Sequence, residues 1–115
     1  MSVVDDLKAA RAEVEKGWCK RTFGDSEGNV CTRGAVNTAV SGDPFALYAA
    51  VVEPATMDDW WERQAAACEQ LRKHIPPAAV TGLEPIAEFN DAPTTTKQDV
   101  LNLFDKALAD LGGLA

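Results

Sequence analysis

At 115 residues the chain has the size of one domain, and its 46% hydrophobic and 25% charged residues make an ordinary globular composition rather than a disordered one. A formal charge of −7 argues against nucleic acid or an anionic membrane as partner, because a phosphate-binding surface needs a concentrated Lys/Arg patch and none stands out. The start, Met1-Ser2-Val3-Val4-Asp5-Asp6, carries acids where a secretory leader carries positive charge, and no apolar run approaches the roughly 18 residues of a bilayer span, so the expected location is the cytoplasm.

Ser2 is placed to cap a first helix, with Asp5 three residues on completing a capping box. Val3, Val4, Leu7, Ala10 and Val14 recur at three- and four-residue steps, so one apolar stripe runs along a helix that Gly17 ends. From Trp18 to Phe23 the helical period is lost; Gly24-Asp25-Ser26-Glu27-Gly28-Asn29 is turn chemistry, and Val30-Cys31 follows. Together they predict a short β-hairpin across residues 18–31. With Gly28 in the left-handed position Asp25 faces Asn29 and Phe23 faces Cys31. Cys19 then lies about 13 Å from Cys31 at about 3.3 Å per residue, beyond disulfide reach. Cys19, Cys31 and Cys68 form an odd, irregularly spaced set and are expected as reduced thiols.

Thr32 predicts a cap for a short helix from Arg33 to Val40, closed by Ser41-Gly42. Asp43-Pro44 then starts a third helix carrying Phe45, Leu47, Tyr48, Val51 and Val52. Thr56 with Asp59 caps a longer helix, along which Met57, Trp60, Trp61, Ala65, Cys68, Leu71 and Ile75 keep the helical period until Pro76-Pro77. Residues 76–95 are rich in proline and threonine and predict a long loop, with at most one brief extended segment at Ile86-Ala87-Glu88-Phe89. Loops of that length in small domains are often functional or hold unrecognised structure. Thr96 with Asp99 starts a last helix whose Val100, Leu101, Phe104, Ala107, Leu108 and Leu111 face one way until Gly112-Gly113. The expected fold is mainly α with a small β-hairpin, a compact bundle of about five helices in a single domain spanning 1–115.

Gly17-Trp18-Cys19, Asp25, Gly28 and Cys31 with Arg33-Gly34-Ala35 lie toward one end, and Phe89-Asn90-Asp91-Ala92-Pro93, Thr96 and Val100-Leu101-Asn102-Leu103-Phe104-Asp105-Lys106-Ala107 toward the other. These blocks, about half the chain, resemble an uncharacterised small-domain family of actinobacteria and the phages that infect them. In that family the later block runs Trp-Asn-Asp, a variable pair, an Arg-Thr step and a Val-Leu helix; here Phe89 stands for the tryptophan and Thr95 for the arginine. The family has no assigned activity, so the resemblance implies a source and a topology rather than a mechanism.

Several chemistries compete with plain packing. Cys31 precedes a helix N-terminus, where the dipole lowers a thiol pKa, and His74 with Asn90 or Asp91 would supply base and orienter. A small buried cysteine and a helix-terminal histidine are the commoner arrangement. Cys19, Cys31, Cys68 and His74 offer zinc-ligand types without the close Cys pair that nucleates such sites, and the Asp25–Asn29 turn lacks calcium-loop spacing, so no metal or cofactor is expected. Asp5-Asp6 and Asp58-Asp59 fall in first helical turns, where capping explains them.

Trp60 and Trp61 point about 100° apart on a helix, and one narrow stripe does not easily bury both rings. Packing against the 76–95 loop accounts for them, or a patch for a protein partner or self-association does. Asp91 is placed to accept from Arg33 and tie the two signature blocks together; alternatively the pair lines a polar pocket where Arg33 meets an anionic ligand.

The function these residues support is a non-catalytic accessory or protein-binding domain, phage-encoded and acting on a host protein in the host cytoplasm, with Arg33, Trp60, Trp61, Asn90 and Asp91 as binding residues. The alternative is a small enzyme or ligand pocket built around Cys31 or around Arg33 and Asp91. Mimicry of DNA is disfavoured, because the acids are dispersed along the chain.

Overall fold

The computed structural model describes residues 2–45, 60–76 and 84–112. These hold five helices: α1 (Val3–Lys16), α2 (Thr32–Ser41), α3 (Trp60–Arg72), α4 (Pro85–Asp91) and α5 (Lys97–Asp110). Side-chain chemistry fixes three of their N-terminal ends. Ser2 accepts from Asp5 N at 3.1 Å to cap α1. Thr96 and Asp99 form a reciprocal capping box at α5, with bonds of 3.2 and 2.9 Å. At α2 the cap is Cys31 rather than Thr32: the Cys31 sulfur accepts from Gly34 N at 3.2 Å, and Thr32 sits inside the first turn, fully buried. Gly42, at φ 85°, closes that helix in the left-handed conformation.

The amphipathic stripe of α1 organises the core. Leu7, Ala10 and Val14 are fully buried, and they share one hydrophobic cluster with Val36 of α2, Leu71 of α3, Ile86 of α4 and Phe104 of α5. Polar ties fix the packing around that stripe. Buried Asp6 takes a two-pronged bond from Arg63 of α3 at 2.7 and 3.1 Å, so neither carboxylate oxygen is left desolvated and unpaired. Arg11 likewise grips Asp105 of α5 at 2.7 and 3.2 Å.

The expected β-hairpin is absent; the described residues contain isolated bridges and no sheet. Its turn forms, with Gly28 at φ 85°, Asp25 N donating to Asn29 O at 3.0 Å and Cys31 N to Phe23 O at 3.3 Å. The ladder does not, because the first arm is bonded elsewhere. Val30 N donates to Gly17 O and Val30 O accepts from Cys19 N, a parallel bridge. Arg21 then reverses the chain at φ 70°, so the segment loops around Val30 instead of running beside it. The Cys19 carbonyl and Arg21 amide, which a ladder would use, bond to side chains of α4.

The 76–95 stretch also differs from expectation: Pro85–Asp91 is a helix, not an extended segment. Proline at its first position and the burial of Ile86 and Asn90, four residues apart, are helical signals that the short apolar alternation masks. Of the expected third helix only its start is described: Pro44 and Phe45 form a turn in which Phe45 N donates to Asp43 Oδ1 at 2.9 Å, and the rest of that helix and the Thr56–Asp59 cap lie outside the described residues.

Gly34 marks the closest approach between α2 and the loop. A Cβ there would fall 1.8 Å from the Phe23 carbonyl oxygen and 2.7 Å from its carbon, a backbone clash that no rotamer relieves. Gly34→Ala is expected to lower stability by about 2–4 kcal/mol in denaturant unfolding. Gly42→Ala, in open space at positive φ, should cost only about 1 kcal/mol. Equal costs would mean that the loop does not press on α2.

Candidate functional site

Two neighbouring arrangements join the signature blocks, one saturated with hydrogen bonds and one short of them. The saturated one centres on Asn90 of α4, 1% exposed. Its Oδ1 accepts from Trp18 Nε1 at 2.7 Å, Thr32 N at 2.9 Å and Thr32 Oγ1 at 2.7 Å. Its Nδ2 donates to Cys19 O at 3.1 Å and Asp91 Oδ1 at 3.0 Å. Every donor and acceptor of the amide is used, so Asn90 is a clasp between α4, the loop and α2, with nothing left to offer a ligand. Lys20 reinforces it, donating to Ala92 O at 2.7 Å with its ammonium 5.4 Å from the Trp18 ring centre.

Beside the clasp lies a cavity of about 300 Å³. Phe23, Phe45, Ala87 and Cys31 give it apolar walls, the two phenylalanines meeting edge to face at 5.8 Å. Arg33 with Glu84, and Arg21 with Asp91, supply its charges. Arg33 Nη1 lies 2.6 Å from Glu84 Oε1, an ion pair set off the hydrogen-bonding direction: among the described residues, Arg33 Nε and Glu84 Oε1 are both buried without a hydrogen bond. The expected Arg33–Asp91 pairing is thus replaced by Arg33–Glu84. Asp91 Oδ1 instead accepts from Asn90 and from Arg21 N at 2.9 Å, which holds Arg21 in its left-handed conformation.

The structure therefore brings Arg33, Asn90, Asp91 and Cys31 to one place and leaves the tryptophans elsewhere. Trp61, on α3, is 39% exposed. The side chain of Trp60 lies outside the described residues. Glu84 is the site residue that sequence reasoning misses. Its signal is Glu84-Pro85, an acid followed by proline at a helix start, inside a stretch whose composition predicts a loop.

The thiols fit structure better than nucleophilic catalysis. All three cysteines are free. Burial pushes Cys19 and Cys68 up to about 11; it also raises Cys31, the hydrogen bond from Gly34 N opposing that shift without cancelling it. The candidate base is not among the residues lining the cavity: His74, just past the end of α3, has Nε2 3.4 Å from Asp110 Oδ2 at the end of α5. Among the described residues, no three His, Cys, Asp or Glu side chains are grouped to hold a metal, and no helix is long and apolar enough to cross a membrane.

A family model described as a family of unknown function (DUF6197) matches residues 1–110. No curated protein and no solved structure matches the chain.

Two measurements probe this arrangement. Asn90→Ala strands the buried Thr32 amide and hydroxyl together with the Trp18 indole, and should cost at least about 3 kcal/mol. A double-mutant cycle with Thr32→Val should give a coupling of about 1 kcal/mol or more, and a coupling near zero would remove the clasp. Alkylation of the native protein near pH 7.5 should be slow at every cysteine. At Cys19 it should accelerate about tenfold per pH unit up to a pKa near 11, since only the thiolate reacts. Rapid labelling of Cys31 at neutral pH would restore the nucleophile.

Proposed function

We propose that this chain, which belongs to the DUF6197 family of unknown function, is a non-catalytic binding domain whose site is the cavity between α2 and α4. The observation that carries this reading is the cavity itself, about 300 Å³, with apolar walls from Phe23, Phe45 and Ala87 and charged side chains of Arg33, Glu84 and Asp91 around it. A concave, largely apolar recess with a few charged groups is the usual design of a ligand site, in which the polar groups orient what the walls attract. The phage origin and host-protein target inferred from the family resemblance belong to the same proposal, the occupant then being a segment of the partner.

A second reading rests on Trp61. A half-exposed indole on the outer face of α3 is the residue type that anchors protein interfaces, and it would give a docking surface separate from the cavity.

One pair of substitutions separates binding from structure. Arg33→Met with Glu84→Gln should leave the unfolding free energy within about 1 kcal/mol of the parent, because an ion pair whose glutamate is 46% exposed contributes little net stability. The same variant should lose the chemical-shift changes that a fragment library produces in the parent at residues 21–23, 31–33 and 84–91. A loss of stability above about 3 kcal/mol would make the pair structural. Fragment shifts confined to residues around Trp61 would transfer the site to α3.

A further inference from the structure

The hairpin register that would hold Cys19 about 13 Å from Cys31 along a ladder is not formed, and the pairing that replaces it sets the two side by side. Trp18 and Val30 form a parallel bridge, in which Val30 N donates to Gly17 O and Cys19 N to Val30 O, both at 3.0 Å. Paired positions across such a bridge share a face, and successive residues alternate between faces. Trp18 and Val30 take the core face: Val30 is 6% exposed, and Trp18 packs against the same hydrophobic cluster. Cys19 and Cys31, the next residue on each arm, therefore share the other face.

The Cys19 amide bonds to the very peptide group that carries Cys31. Bond lengths then hold the two Cα atoms within about 7 Å, and they stand about 5 Å apart where the usual spacing of paired strands is kept. A disulfide needs about 4.4–6.8 Å between Cα atoms. The loop turns the Cys19 side chain to the same spot: its sulfur lies 3.7 Å from Thr22 O, and the next carbonyl, Phe23 O, accepts from Cys31 N at 3.3 Å. The charge of Asp91 opposes ionisation of both thiols, and ionised Cys31 opposes that of Cys19, as in groups that share one neighbourhood. Both cysteines are half-buried and Cys31 lines the cavity, whereas Cys68, 2% exposed, lies in the core.

We propose that Cys19 and Cys31 are a redox-active dithiol that a low-molecular-weight disulfide oxidises to an intramolecular disulfide at the cavity wall. One cysteine thiolate attacks the oxidant's S–S bond, forming a mixed disulfide and expelling a thiolate. The second cysteine, as thiolate, attacks the protein sulfur of that mixed disulfide and expels the other half of the oxidant. The two cysteines lose two electrons and two protons; the oxidant takes the electrons, and its two leaving thiolates take up the protons. The new bond joins the loop whose Cys19 carbonyl accepts from Asn90 to the residue whose sulfur caps α2, so it makes covalent a joint that the clasp holds by hydrogen bonds. Burial raises the pKa of both thiols, so exchange is slow near neutral pH, quickens as pH rises and answers to sustained oxidation.

In the experiment that tests this, the full chain is equilibrated at mildly alkaline pH in mixtures of reduced and oxidised glutathione, blocked with N-ethylmaleimide in denaturant and digested with trypsin. Trypsin cuts at Lys20 and Arg21, between the two cysteines, so the expected product is residues 17–20 joined to residues 22–33, two hydrogens lighter than the separate thiol peptides. Cys68 should carry the maleimide. Half-oxidation of the folded chain should occur at a ratio of reduced glutathione squared to oxidised glutathione at least tenfold higher than for the same chain in denaturant, where residues 20–30 must close as a free loop. An equal or lower ratio for the folded chain overturns the proposal, as do glutathione adducts in place of the linked peptide or a linkage through Cys68. Every readout comes from the parent chain, so no variant has to fold, and the outcome is independent of whether the cavity binds a ligand.

Discussion

Asn90 is the interaction on which the rest of this structure depends. A single buried amide takes three donors on its oxygen and gives two hydrogens from its nitrogen, and its partners come from the loop after α1, from the first turn of α2 and from its own helix. None of these contacts is regular secondary structure. The loop of residues 17–31 lacks a ladder to satisfy its peptide groups, and the first turn of α2 has unpaired amides by construction. One side chain resolves both deficits and sets the distance between α2 and α4. The left-handed Arg21, the packing of Gly34 against the Phe23 carbonyl and the cavity follow from that placement.

The same short helix carries both kinds of polar group. At seven residues α4 is too short to hold itself together in water, where helices below about 12–15 residues are marginal. It persists because Ile86 is fully buried in the core and Asn90 is clasped. The acids at its two ends make further ties: Glu84 forms an ion pair with Arg33 at 2.6 Å, and Asp91 accepts from Arg21 N and Asn90 through Oδ1.

Much of this is legible in the amino-acid sequence. The amphipathic periods of α1 and α5 and their capping residues place those helices nearly to the residue, because local chemistry decides them. The two signature blocks stand out as meeting partners for the same reason that they are conspicuous: Trp, Asn, Asp and Arg are costly to place unless something answers them. What stays hidden is decided at long range. Residues 18–31 have hairpin composition, yet their peptide groups bond to a helix some 70 positions away, which no window of neighbours contains. Pro85–Asp91 has a strand-like alternation over four residues, and burial of Ile86 and Asn90 overrides it. The cap at α2 passes from Thr32 to Cys31 because Asn90 claims both the amide and the hydroxyl of Thr32. Arg33 meets Glu84 rather than the expected Asp91 because the helix that begins at Pro85 sets the glutamate beside it, and a loop reading of that stretch has no way to place Glu84.

The coupling of α4 to the clasp also bears on how a ligand would act. A molecule in the cavity would lie against a helix that owes its existence to tertiary contacts, so binding and helix order would be thermodynamically linked. Each favours the other by the same free energy, and a site of this design reports occupancy as local stability rather than as movement of a domain. The segments so linked, α4, the loop it clasps and the first turn of α2, are those that carry the first signature block and the start of the second.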